Sequence, residues 1–343
     1  MGTIKVEAIE EKWQEGLREP WQQLQEASHE SFVFQTWEWC TTWWRHFGEG
    51  LKPLVLAVRN ENDLIGIAPL YVIKRPWGAC VRWIGTGISD RLGFLAFPGA
   101  EEKVAQAVLD FLEQEQSADL QELPDHSPIV QMAESHHWLK LSQGRSSYIH
   151  LPQSWEAYAG TSCEKIPVNV EHALEKIHNE VGKVTILQAS SLEMESSLEA
   201  LFLLHTHRWQ ARGLPGEFHA SNVRAFHRDW VSLASRNDWI RLYLIRVNDS
   251  ILAVEYAFHY HERMYGYQSG FDPTYARYRL GALLFAYAIR RAIEEHCSVF
   301  DFLRGEEPYK REWQAQTLEH ARVCHARGLA ARLWRAWIAL RSR

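Results

Sequence analysis

Two stretches of this 343-residue chain follow one pattern, and that pattern limits the fold more than any other feature. PLVLAVRNENDLIGIAPLYVI (53–73) and RLYLIRVNDSILAVEYAFHY (241–260) are each two β-rich runs around a turn-prone cluster. The clusters are Asn60-Glu61-Asn62-Asp63 and Asn248-Asp249-Ser250. Apolar, β-branched runs bounded by such residues read as hairpins. Each hairpin is followed by more β-rich sequence, at 80–97 and 264–271, and then by an apolar helix. In the first helix Val104, Ala107, Val108, Phe111 and Leu112 fall on one face. The second, 280–296, is apolar nearly all round, as a buried helix must be. Two copies of one β-β-β-α-β unit account for this most simply; a coincidence of two common hairpins is the competing account. The incomplete alternation of the strands fits sheets covered on both faces. The expected class is mixed α/β (α+β) in two tandem domains, which the chain length also suits.

Composition removes several functions. With 37 Lys+Arg against 43 Asp+Glu the formal net charge is −6, which argues against a general grip on nucleic acid, so no DNA partner is expected. Five scattered Cys without a C-x-x-C pair point to neither a disulfide framework nor a thiolate zinc site, and favour a reducing compartment. The first residues lack the apolar core of a signal peptide, and no apolar run approaches the ~18 residues a bilayer span needs. A cytoplasmic protein is the expectation. The 16 Trp supply either a large packed area or a roomy aromatic pocket.

Motifs remove more. There is no G-x-x-x-x-G-K-[ST], no H-E-x-x-H, and the run Gly266 to Gly270 misses G-x-S-x-G by one position. The pairs His205/His207 and His259/His261 lack a third ligand, so no metal is expected. The informative region is 264–313. A strand leads to a loop holding Tyr275, Arg277, Tyr278 and Arg279, and a helix opens at Gly281 with Ala282, Leu283 and Leu284. The first amides of a helix have no intrahelical acceptor and lie at the positive end of its dipole. Small residues there admit a phosphate, and guanidinium groups add donors. This is a candidate pyrophosphate cradle formed by Arg277, Tyr278, Arg279, Leu280, Gly281, Ala282 and Leu283; an ordinary core helix behind a basic loop is the other reading.

The stretch SGFDPTYARYRLGALLFAYAIRRAIEEHCSVFDFLRGEEPYKREW resembles the Gcn5-related N-acetyltransferase (GNAT) superfamily, in the branch of the cellulose-biosynthesis protein CelD and the Fem-type aminoacyltransferases. Its most specific part is Phe300-Asp301-Phe302-Leu303-Arg304-Gly305 followed by Tyr309-Lys310 and Trp313. His205, Arg208 and Trp209 in HTHRWQARG match a second block, and FQTWEWCTTWWRHF with the hairpin through Ala68-Pro69-Leu70 extends the likeness over most of 30–325. The resemblance implies two GNAT-like domains with mixed, mainly antiparallel sheets: 1–150 without cofactor, 151–326 with the acyl-CoA site, and 327–343 as a basic amphipathic helix. Aligned on Gly281, the superfamily's [QR]-x-x-G-x-[GA] pattern meets Tyr278 first and Leu283 last, a departure in the loop.

The implied chemistry is acyl transfer from acetyl-CoA or a longer acyl-CoA to an amine on a small molecule or a glycan or lipid precursor, in cell-envelope or polysaccharide metabolism. An amine must lose a proton before it attacks, the oxyanion needs a donor, which a backbone amide of 264–270 supplies, and the leaving thiolate benefits from an acid. Tyr309 is the candidate acid. Glu255, inside a strand, is a candidate base or else a solvent-facing glutamate. Asp301, expected to point inward beside Arg304 or Lys310, is a structural ion pair or an amine anchor before it is a base. His205, Arg208 and Trp209 floor the acceptor pocket, or Arg208 bridges to a carboxylate of the other half. The segment 327–343 has five Arg, no acid, and Trp334 and Trp337 among Leu and Ile; it lies on an anionic membrane surface, the inner face, or docks on its own domain. Two further functions stay open: aminoacyl transfer from aminoacyl-tRNA, and a non-catalytic GNAT-like scaffold.

Overall fold

The computed structural model describes residues 3–28, 31–162 and 169–341. The chain begins with β1 (Ile4–Ile9), α1 (Arg18–Ala27), α2 (Trp37–Phe47), β2 (Lys52–Asn60), β3 (Asp63–Arg75), β4 (Gly78–Trp83) and β5 (Leu95–Ala96). It continues with α3 (Glu101–Glu115), β6 (Ser117–Pro124), α4 (Pro128–Ser135), β7 (Leu139–His150), α5 (Trp155–Ser162), α6 (Val170–Glu180), β8 (Val184–Gln188), α7 (Met194–Gln210) and α8 (Ser221–Ala234). Then come β9 (Ile240–Val247), β10 (Ser250–Tyr260), β11 (Arg263–Phe271), α9 (Leu280–Glu294), β12 (Val299–Arg304), the short α10 (Pro308–Glu312), β13 (Gln316–His325) and α11 (Leu329–Arg341).

The chain forms two compact units, Met1–Arg145 with Leu318–Arg343, and Ser146–Thr317. Strand order in the first is β1-β2-β3-β4-β6-β13, antiparallel except for the parallel pair β4–β6, with β5 beside β3. In the second it is β8-β9-β10-β11-β12 followed by the end of β7, antiparallel except for the parallel pair β11–β12. The two orders are one plan used twice. Parallel neighbours need a crossover, and α3 and α9 provide it. Two tandem units with mixed, mainly antiparallel sheets are therefore the architecture.

The boundaries differ from the expected cuts in two respects. Residues 318–326, assigned above to the second domain, pair with β6 of the first unit: His320 lies opposite Pro124 and Cys324 opposite Asp119. Conversely, Ser146 to His150 at the end of β7 pair with β12 of the second. The first unit takes its sixth strand from far along the chain, which a pattern of local runs does not reveal.

Local chemistry explains the elements that were legible. The β9–β10 turn has Asn248 at φ 47° and Asp249 at φ 66°, the doubly left-handed turn whose twist suits a hairpin. Thr36 starts α2, its hydroxyl accepting from the Trp39 amide at 3.2 Å. The tryptophans are packing residues: Trp13, Trp21 and Trp37 pack with ring centroids 5.3–5.5 Å apart, and Trp39 and Trp83 are fully buried. In the second unit α9 buries Leu283, Leu284, Ala288, Ile289 and Ala292 against Tyr243, Ile245, Met264 and Phe300. That core fixes where the helix begins.

Candidate active site

The site grows from the way β11 and β12 part. Their parallel ladder covers only Arg263 to Tyr265 against Val299 to Asp301. Beyond it β12 continues along β7, with a register shift between Asp301 and Leu303 and Leu303 at φ 56°. The Asp301 carboxylate, fully buried, accepts from the Leu303 amide at 2.9 Å and pairs with Arg263 at 3.3 Å. It holds the bulge that turns β12 away. On the other side β11 carries an irregularity of its own: Tyr256 faces Gln268 but Ala257 faces Gly266, leaving Tyr267 as the extra residue. Past the ladder β11 runs on through Ser269 and Phe271 toward the start of α9.

A pocket of about 210 Å³ lies there, lined by Arg208, Ser269, Phe271, Arg279, Gly281 and Tyr309 with their neighbours. Its lining includes Leu280 and Gly281, which open α9. The Arg279, Ala282 and Leu283 amides bond within the turn, to Ala276 O, Arg279 O and Arg279 O at 2.9–3.1 Å, whereas those of Leu280 and Gly281 have no acceptor among the described residues. A Cβ on Gly281 would rest against the Phe271 ring, 3.8 Å from its Cε1, an ordinary contact that displaces nothing.

The cradle expected over 277–283 is thus only partly assembled. Arg277 turns to Glu180 at 3.2 Å and to the Tyr278 hydroxyl at 2.5 Å, and Tyr278 donates to Glu180 at 2.9 Å, so this pair tethers α6 and does not line the pocket. Leu283 is fully buried in the core. Arg279, at φ 54°, does line the pocket, with its guanidinium paired to Glu312. Leu280, Gly281 and Ala282 line it too.

Glu255 stands directly opposite Ser269 across the β10–β11 pair. It is 1% exposed and its Oε2 has no hydrogen-bond partner, which removes the solvent-facing reading. Burial pushes its carboxyl well above the usual range, opposed by the charges of Arg208 and Lys310. Gly266 makes room for it: a Cβ there would lie 3.1 Å from Glu255 Oε1. Tyr309 stacks on Phe285 with centroids 5.3 Å apart. Burial, then Glu307 and Glu255, raise its phenol, while Arg208 lowers it, so acid, carboxylate and guanidinium share one electrostatic neighbourhood.

Arg208 reaches the pocket from α7. Its Nη1 donates to Ser269 Oγ at 3.2 Å, its Cζ lies 4.6 Å over the Phe271 ring, and its buried Nε has no partner. These contacts fall within its own unit. His205 and Trp209 stay outside the lining. His205 is 1% exposed, and burial, then Arg208, push it down to about 4, with a hydrogen bond from its ring to Gln268 opposing. Its ring packs 5.8 Å from that of Trp209.

Lys310 is a fold pin. Its ammonium donates to the carbonyls of Leu303, Arg304 and Gly305 at 2.8–3.2 Å and pairs with Glu307 at 3.0 Å, all its donors committed to the turn after β12. Asp301 pairs with Arg263 and also lies outside the lining. Sequence reading missed Ser269, Phe271 and Phe285 in the lining; the pair Gly266 and Gly270 was the available signal, since isolated glycines in a strand mark bulges and close approaches. A Cβ on Gly270 would sit 2.6 Å from the His205 amide, so that glycine lets α7 lie on the sheet.

A parallel pair that splays beside a bulged strand, followed by a helix start, is the arrangement of the GNAT fold. Residues 172–311 match the acetyltransferase (GNAT) domain family, and a Fem-type protein is among the structural relatives of the chain. A crystal structure of FemX superposes with a TM-score of 0.63 at 9% identity, over 92% of this chain and 96% of that one. L-PGS from Bacillus licheniformis gives 0.53 at 10% identity, over 85% and 90%, and a tandem GNAT protein from the clavulanic acid biosynthesis pathway gives 0.50 at 8%, over 94% and 98%. At these identities the likeness is one of fold. No curated protein matches the chain in sequence. Among the described residues no helix is long and apolar enough to cross a membrane.

Proposed function

We propose that the second unit transfers an acyl group from a CoA thioester to an amine. The observation that carries this reading is the pair of amides without an acceptor, those of Leu280 and Gly281, in two residues that line a pocket between the end of β11 and the start of α9. They suit a diphosphate, and the largely apolar lining suits a pantetheine arm and acyl chain. Glu255 takes the proton from the amine: its raised pKa matches it to an ammonium group, and the arriving positive charge favours its ionised form. Carbon–nitrogen bond formation and carbon–sulfur cleavage leave a thiolate, to which Tyr309, kept protonated by burial, supplies its hydroxyl proton. Arg208, beside both, offsets negative charge at the reacting centre. The acceptor is a small molecule or a glycan or lipid precursor carrying an amine.

Calorimetry with acetyl-CoA and longer acyl-CoAs tests this. Binding is expected for at least one chain length, and Gly281→Glu is expected to abolish it by setting a carboxylate against the diphosphate. Unchanged affinity in that variant would mean the donor lies elsewhere. One observation favours a second reading, an aminoacyl-tRNA donor: Arg277 and Arg279 are both engaged by carboxylates, and an aminoacyl ester carries no diphosphate for them to hold. Absence of binding by every acyl-CoA, with transfer from charged tRNA, would select it.

A further inference from the structure

Helix α11 has two apolar faces, and the fold uses one. Ala331, Trp334 and Ile338 are 1%, 9% and 8% exposed. Trp334 stacks flat on Trp77, with centroids 4.9 Å apart and planes 10° apart, in a cluster with Cys324, Leu139 and Leu141. Leu329, Leu333, Trp337 and Leu340 point the other way and are 77%, 64%, 51% and 72% exposed. Their spacing of i, i+4, i+8 and i+11 puts them on one stripe opposite the docked face. Seven large hydrophobics reach 49% exposure or more among the described residues, and four of them are here. Scattered surface leucines need no explanation; a stripe of this kind does.

The charge beside it is of one sign. Residues 327–343 contain five Arg and no acid in a chain whose net charge is −6. Arg332 is exposed and Arg335 half-buried on the border of the stripe. Their field is felt nearby: burial foremost, then Arg335, Arg327 and Arg332, against Glu113, hold the His325 imidazole below its usual range. Two copies meeting through this face would set arginine against arginine, whereas a surface of phosphate headgroups complements both the charge and the apolar stripe.

We propose that the outward face of α11 binds the surface of an anionic bilayer, with Leu329, Leu333, Trp337 and Leu340 among the acyl chains and Arg332 and Arg335 at the headgroup phosphates. A helix that docks by one face and enters the interface by the other holds the first unit against the membrane without spanning it. This stands independently of the reaction assigned to the second unit.

The test is co-sedimentation of the full chain with phosphatidylcholine vesicles, with and without phosphatidylglycerol. Binding to the anionic vesicles is expected to exceed binding to the neutral ones by roughly tenfold or more, and to weaken between about 0.1 M and 1 M salt as the screening length falls from ~10 Å to ~3 Å. Leu333→Glu with Leu340→Glu is expected to cut partitioning at least tenfold, with the melting temperature unchanged because both side chains are exposed. Arg332→Glu, which leaves the apolar stripe intact, is expected to lower binding to anionic vesicles alone. Failure of the full chain to pellet with anionic vesicles overturns the proposal, as does equal pelleting of all three proteins. Light scattering that shows a dimer, dissolved by the leucine substitutions, would identify a second copy as the occupant instead.

Discussion

Glu255 and His205 sit on opposite faces of one strand pair, and burial drives their ionisation in opposite directions. For Glu255 the folded pKa is raised. Its contribution to stability is complete below the unfolded value of 4.5 and is lost as pH rises toward the folded value, because the unfolded chain releases a proton the folded chain keeps. Glu255→Gln has nothing to titrate there. Its stability relative to the parent is expected to climb from about pH 4.5 upward, by up to about 1.4 kcal/mol per pH unit. Urea midpoints of the two proteins from pH 4 to 8 measure this; parallel curves would show that the carboxyl is ionised in the fold. The same substitution is expected to lower turnover roughly 10²–10⁴-fold, the usual scale of a lost general base. For His205 the sign reverses: held down to about 4, it contributes stability above its ordinary 6.5, and that is lost as pH falls through the folded value.

At the scale of elements, the parallel ladder is short because β12 leaves β11 at a bulge, and Asp301 holds that bulge. Its carboxylate satisfies the Leu303 amide inside the bulge and faces Arg263, whose side chain is 33% exposed. Asp301→Ala orphans that amide and the guanidinium together, an expected loss of about 2–4 kcal/mol given the partial exposure of Arg263. Asp301→Asn keeps the acceptor oxygen and is expected to cost less than half as much; equal losses would show that the ion pair alone matters. The hairpins and α9 were legible because burial writes a local period and turns need particular residues. The wedge was not, since a bulge is a fact of pairing register and Asp301 reads locally as one more alternating residue. The loop before α9 was located by its arginines and tyrosines, but their aim was hidden. The 3₁₀ turn Pro273–Tyr278 and the left-handed Arg279 send Arg277 and Tyr278 to α6 and Arg279 to the pocket, and composition carries no such direction.

At the scale of the molecule, the repeat of two units is written in the sequence and the ownership of the sixth strands is not. Cys324 and Asp119 meet across 205 residues of chain, a separation at which no local pattern speaks. The first unit depends on that distant strand. Ala321, Val323 and Cys324 of β13 are fully buried, Arg322 holds the buried Asp119 at 2.6 Å, and α11 adds Trp334 and Ile338. A chain ending at Thr317 loses all of them and exposes the edge of β6. At roughly 1.5–3 kcal/mol for each large apolar side chain, the deletion removes a major part of the ~5–15 kcal/mol that holds a domain together. The second unit, 146–317, loses none of its own strands, since its sixth is the end of β7. Deletion after residue 317 is therefore expected to abolish the cooperative melting of the first unit and spare that of the second, so that limited proteolysis leaves a fragment near 146–317. If the shortened chain instead kept the full calorimetric enthalpy of the parent, β13 would be an edge ornament, and the first unit would close its sheet without it.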